Sequence, residues 1–133
     1  MILVIDASVT MAWCFEDEHS AEADRLLGIV VADGAITPPL WEAEVTNVLV
    51  AAERRGRTTP ADSARFLALL DALPIEAADH VPSKDQVLGA AREHGLSACD
   101  ATYLVTAMLH GAALATFDER LAAAARSAGV RLA

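Results

Sequence analysis

Apolar residues fall along this chain in two kinds of pattern. Short unbroken runs occur at "ILVI" (residues 2–5) and "ALAT" (113–116), with weaker ones at "AIT" (35–37), "IEAA" (75–78) and "VRLA" (130–133). Runs this short, without polar alternation, predict strands of a buried sheet. Longer segments between them carry helical spacing. "LWEAEVTNVLVAAERRG" places Val45, Val48, Leu49 and Ala52 on one face and closes on two arginines and Gly56, a helix-stop signal. "TTPADSARFLALLDALP" offers Thr59 as N-cap and Pro60 at the first helical position. "PSKDQVLGAAREHG" reads as a capping box from Ser83 to Gln86, ending at Gly95. "SACDATYLVTAMLHG" and "DERLAAAARSAG" each end on glycine.

Strands alternating with helices predict an α/β fold. The expected form is a three-layer α/β/α sandwich with a mainly parallel sheet of about five strands. Right-handed crossovers put helices on both faces. In such folds the site lies at the carboxyl ends of the strands, where strand-to-helix turns converge. The length, 133 residues, predicts a single domain over residues 1–133. No apolar run approaches the roughly 18 residues needed to span a bilayer. The first run is too short, and lacks the basic start, for a signal peptide. These features predict a cytoplasmic protein. Cys14 and Cys99 show neither metal-ligand nor redox spacing and form no disulfide framework.

The first strand runs directly into Asp6. Asp118 occupies the equivalent place after "ALATF" and before "ERLAAAA". Asp100 lies in the first turn of its helix, three residues after Ser97, and Glu44 lies in the first turns of the helix after "AITPP". Each has a structural explanation by itself. Asp6 and Asp118 suit N-caps, Ser97 and Asp100 suit a capping box, and Glu44 suits the positive end of a helix. Together they are directed at one rim of the sheet. Carboxylates gathered there repel one another and raise each other's pKa, and a divalent cation relieves that. All-oxygen ligation suits Mg²⁺ or Mn²⁺.

Net charge sharpens this reading. With 19 acids against 10 bases the chain carries −9, which opposes nonspecific nucleic-acid binding unless bound cations reverse the local sign. Other chemistries lack their signatures. There is no phosphate-binding glycine loop or dinucleotide fingerprint. The four histidines form no i,i+4 pair for zinc, and neither Ser8 nor either cysteine has an evident histidine–acid partner. An acid-only site suits phosphodiester hydrolysis by metal-activated water.

"VIDASV", "WEAEVTNVL", "LSACDATYLVTA" and "LATFDERL" resemble, in order and spacing, the motifs of PIN-domain ribonucleases, and most of all the compact VapC-like toxins of toxin–antitoxin modules. The resemblance runs nearly end to end. It implies an Mg²⁺- or Mn²⁺-dependent endoribonuclease with catalytic acids Asp6, Glu44, Asp100 and Asp118. Asp6 and Asp100 would be the firmest metal ligands, Asp118 would complete the site directly or through water, and Glu44 would bind a second metal or position the water. Ser8 and Thr116 match the small polar positions beside the first and last aspartates. Asn47 shares the Glu44 face and would support it. Glu42, about 200° around the helix from Glu44, would face solvent. The family also implies a homodimer, a cognate antitoxin lying across the active-site groove, and an RNA substrate. Arg54, Arg55 and Arg57 form the densest basic cluster. They suit either a helix C-terminus or a contact with RNA or antitoxin. Trp13, Phe15 and Trp41 suit core packing or a groove for an antitoxin helix. Rival readings are a PIN nuclease of RNA maturation or repair, a catalytically silent PIN-type module, and a signalling receiver domain. The last requires a lysine after the final strand, and the chain's one lysine, Lys84, falls elsewhere.

Overall fold

The computed structural model describes residues 1–133. Four three-residue strands, β1 (Leu3–Ile5), β2 (Ala35–Thr37), β3 (Ile75–Ala77) and β4 (Ala113–Ala115), form one parallel sheet in the order β3-β2-β1-β4. In register, Val4 faces Ile36 on one side and Leu114 on the other. Leu3, Val4 and Ile5 are all fully buried. Successive strand residues point to opposite faces, so both faces must be covered by helices.

Seven helices supply that cover: α1 (Ala7–Ala12), α2 (Ala21–Asp33), α3 (Leu40–Arg54), α4 (Pro60–Asp71), α5 (Lys84–His94), α6 (Ala98–His110) and α7 (Glu119–Ser127). A single 3₁₀ turn, Glu16–Glu18, joins α1 to α2. The core draws Leu26 and Val30 from α2, Val45 and Leu49 from α3, Tyr103 and Leu104 from α6, and Leu121 from α7. The expected caps form. Thr59 accepts from the Asp62 N–H with Pro60 at the first position, and Ser83 and Gln86 close a full capping box before Gly95 turns left-handed at φ +64°.

One expectation differs. The sheet has four strands rather than about five. The terminal "VRLA" segment runs beside β4 but makes only one parallel bridge, Leu132 to Leu114. Gly129, at φ +78°, turns the chain out of α7, and the few residues that follow hold only a short pair of bonds. These are Leu114 N–H to Arg131 C=O at 2.8 Å and Ala133 N–H to Leu114 C=O at 3.0 Å.

Trp41 serves the core rather than an open groove. It is buried, and its indole N–H donates to Thr10 Oγ1 at 2.9 Å, while Thr10 donates to the Asp6 carbonyl at 2.9 Å. This relay fastens α3, which carries Glu44, to the turn that carries Asp6. Trp13 donates to the Ala23 carbonyl at 2.9 Å and so pins α1 to α2.

Candidate active site

All crossovers in a parallel sheet start their helices at the carboxyl edge, and the four acids reach that edge by two routes. Asp6 and Asp118 are the N-caps of α1 and α7. The Asp6 Oδ1 accepts from the Val9 N–H at 3.0 Å and from the Ser8 hydroxyl at 2.7 Å, while Thr116 donates to Oδ2. Asp118 Oδ1 accepts from the Leu121 N–H at 2.9 Å. Asp100 and Glu44 lie inside α6 and α3 and cap nothing. Ser97 accepts from the Asp100 N–H at 3.1 Å, but the return bond from the Ser97 N–H to the Asp100 carboxylate, which would complete a capping box, is not formed.

Capping does not exhaust Asp6. An ionised carboxylate offers about four lone-pair positions. Three are taken, which leaves one on Oδ2. The side chain is only 4% exposed. Burial is the dominant influence and pushes its pKa up; the bonds from Thr116, Ser8 and Val9 oppose this, and the charge of Asp100 adds to it. Asp100 is raised in the same direction, first by burial, then by Asp118, with the neighbouring Ser97 hydroxyl offsetting part of it. The Cys99 thiol, exposed in the first turn of α6, is raised by burial and then by Glu44 and Asp100 together. Asp6, Asp100 and Asp118 are therefore linked through their charges, and Glu44 acts beside Asp100 on the Cys99 thiol. None of the four takes part in an ion pair.

No three His, Cys, Asp or Glu side chains converge closely enough to ligate one ion directly. The donors these acids offer are all oxygen, with a spare lone pair on Asp6, a chemistry that fits Mg²⁺ or Mn²⁺.

Ser8 and Thr116 each hold two groups. Ser8 Oγ donates to Asp6 and accepts from the Phe117 N–H at 3.0 Å; Thr116 Oγ1 donates to Asp6 and accepts from the Asp118 N–H at 3.0 Å. They fix the β4–α7 turn to the end of β1. Thr116→Val removes a donor to a buried carboxylate and an acceptor of the turn. It should cost about 1–3 kcal/mol in urea denaturation. A change below about 0.5 kcal/mol, the usual size for an inert surface site, would mean that water replaces both bonds.

Asn47 is exposed on α3, and no hydrogen bond joins it to the acids; the partner of Glu44 is Tyr103. Glu42 is exposed and Glu44 half-buried, as their spacing requires. Arg57 is engaged locally. Its guanidinium bonds Asp17 and Glu18 at 2.8 and 2.9 Å and lies 3.7 Å from the Phe15 ring centroid. Arg54 and Arg55 are exposed at the far end of α3, about 15 Å along the helix from Glu44 at ~1.5 Å per residue. A cleft of about 700 Å³ contains none of the four acids; Trp13, Phe15, Arg57, Arg65, Phe66 and Leu69 line it. Thr10 and Tyr103 were not singled out from the sequence, and Trp41 was expected only as a core or groove residue, not as the donor to Thr10. Only Tyr103 left a signal, three residues after Asp100 and so on the same face of α6.

The PIN domain family model matches residues 3–127. Among solved structures the chain is similar to PAE2754 from Pyrobaculum aerophilum, at 27% identity and a TM-score of 0.74, covering 93% of this chain and 84% of that one. It is also similar to the Mycobacterium tuberculosis toxin VapC20, described as cleaving the sarcin–ricin loop, at 20% identity and a TM-score of 0.62, covering 93% and 95%. Comparison with curated proteins finds no match. No helix is long and apolar enough to cross a membrane.

Proposed function

This chain belongs to the PIN domain family, and we propose that it acts there as a divalent-metal-dependent endoribonuclease, the toxin of a toxin–antitoxin module. What supports the proposal is that the charge of Asp100 acts on Asp6 and that of Asp118 on Asp100, with no cationic side chain paired to these three or to Glu44. PIN domains are generally nucleases, and the fold is shared with a toxin described as cleaving an RNA loop. In this reading residues 1–133 form one nuclease domain working in the cytoplasm on single-stranded or loop RNA.

Asp6 and Asp100 would hold the ion, and Asp118 would complete its surroundings directly or through water. The chemistry such an ion would supply when bound is an activated water and neutralisation of charge on the phosphoryl oxygens. Ser8 and Thr116 keep Asp6 aimed, and Glu44 orients a water or a second ion. The protein acts as a homodimer restrained by a cognate antitoxin. The cleft at Trp13 and Phe15, lined by apolar and charged side chains together, offers that partner a seat, and a cationic side chain reaching the acids would gain charge-assisted bonds. With Arg57 engaged locally, Arg54 and Arg55 are the basic pair available for RNA or antitoxin.

Incubation with loop-containing RNA tests the reaction. Cleavage should require Mg²⁺ or Mn²⁺, stop in EDTA and resume on adding metal back. Attack by water leaves a 5′-phosphate and a 3′-hydroxyl, because no RNA 2′-hydroxyl serves as nucleophile. Cleavage that persists in EDTA, or ends in a 2′,3′-cyclic phosphate, contradicts the mechanism.

A further inference from the structure

Tyr103 is the chain's one tyrosine, 1% exposed. Its hydroxyl donates to Glu44 Oε1 at 2.5 Å, across 59 positions of sequence, and no other side chain hydrogen-bonds to Glu44. A phenol is costly to bury without a partner, and a glutamate has three torsions through which to move. Glu44 shares its surroundings with Asp100, and Tyr103 lies in the field of Glu44 and Asp6 together. A half-buried glutamate can turn its carboxylate outward to solvent, where water solvates it. Tyr103 opposes this from inside the core. Being neutral, it adds a donor without adding a cation that would compete with metal.

We propose that Tyr103 is a positioning residue for Glu44: its buried hydroxyl holds Oε1 and thereby keeps the second carboxylate oxygen, Oε2, turned to the site, where it can accept a bond from water. α6 then presents Asp100 and Tyr103 three residues apart on one face, so that one helix both contributes an acid and orients another. Positioning by hydrogen bonds from a packed layer of side chains is how reactive geometry is held in place.

The inference rests on the nuclease reading for its kinetic test but not for its structural one. Tyr103→Phe keeps the ring that fills the core and removes only the hydroxyl. On a loop RNA that the wild type cleaves, kcat should fall about ten- to hundredfold, the range spanned by a bond to a charged group, with KM within about twofold. In a Glu44→Gln background the same substitution should have little further effect, since Tyr103 acts through that carboxylate. Unchanged kcat, or a loss that adds fully to that of Glu44→Gln, overturns the proposal. The second readout needs no turnover. With ¹³C-tyrosine labelling the chain gives one Cζ resonance, which reports what the hydroxyl donates to. Glu44→Gln should move it and Glu42→Gln should not. A resonance unmoved by Glu44→Gln overturns the contact. Wild type that fails to cleave RNA overturns the nuclease reading, and the resonance then decides the Tyr103–Glu44 contact alone.

Discussion

Asp6→Asn should reduce RNA cleavage by about 100-fold or more while leaving the protein folded. Asparagine caps a helix about as well as aspartate, so the start of α1 survives. What disappears is the negative charge on the one acid that is both buried and held by three hydrogen bonds. Losing one member of a preorganised electrostatic site costs on the order of 10²–10³ in rate. Asp100→Asn should behave alike, since its charge acts on Asp6 and no capping box ties it to the Ser97 N–H. Glu42→Gln, on the exposed side of α3, should cleave normally. Single-turnover cleavage of one RNA by the three variants, with thermal melts alongside, checks this. Near-wild-type cleavage by Asp6→Asn would remove Asp6 from the chemistry.

The metal-free protein should grow less stable, relative to Asp6→Asn, as pH rises. Asp6 and Asp100 have folded-state pKa values raised above their unfolded ones, chiefly by burial. The folded state therefore binds more protons than the unfolded state between those limits, so stability falls across that window and levels off above it. For Asp6 the window opens near the ordinary carboxylate pKa of about 4 and closes at the raised value. Asp6→Asn lacks that contribution. In EDTA its melting temperature should thus gain on the wild type as pH rises from about 4 toward neutrality. The sign follows from burial outweighing the three bonds that favour the charged form. Mg²⁺ should reverse the order by binding the folded wild type alone, worth about 2.7 kcal/mol at 100 times Kd. A melting-temperature gap that ignores both pH and Mg²⁺ would contradict a site built on Asp6.

Much of this arrangement was legible in the chain. The run at residues 2–5 ends on Asp6 because the central strand is three residues long and its helix starts at once, so strand, cap and acid are adjacent in sequence. The same adjacency exposes Thr116 and Asp118 after β4, and the Ser83 and Thr59 caps are equally local. What the sequence concealed depends on packing between distant segments. The Tyr103–Glu44 bond requires α6 to lie beside α3. The Trp41–Thr10–Asp6 relay requires α3 to cross α1. The strand count failed for another reason. "VRLA" has strand-like composition, but only the neighbouring edge decides how many of its residues pair, and here that is one bridge. For the acids, a shared edge was expected from topology, but only side-chain placement shows that no three of them converge closely enough to ligate one ion directly.

The most direct test of the central claim is sequencing of RNA 5′ ends after brief expression of wild type and of Asp6→Asn at matched levels. The account predicts a small set of new 5′-phosphate ends, set in single-stranded or loop RNA, present with the wild type and missing with Asp6→Asn. The same ends in both samples, or new ends carrying 5′-hydroxyls, would contradict metal-activated hydrolysis at the acidic edge of this sheet.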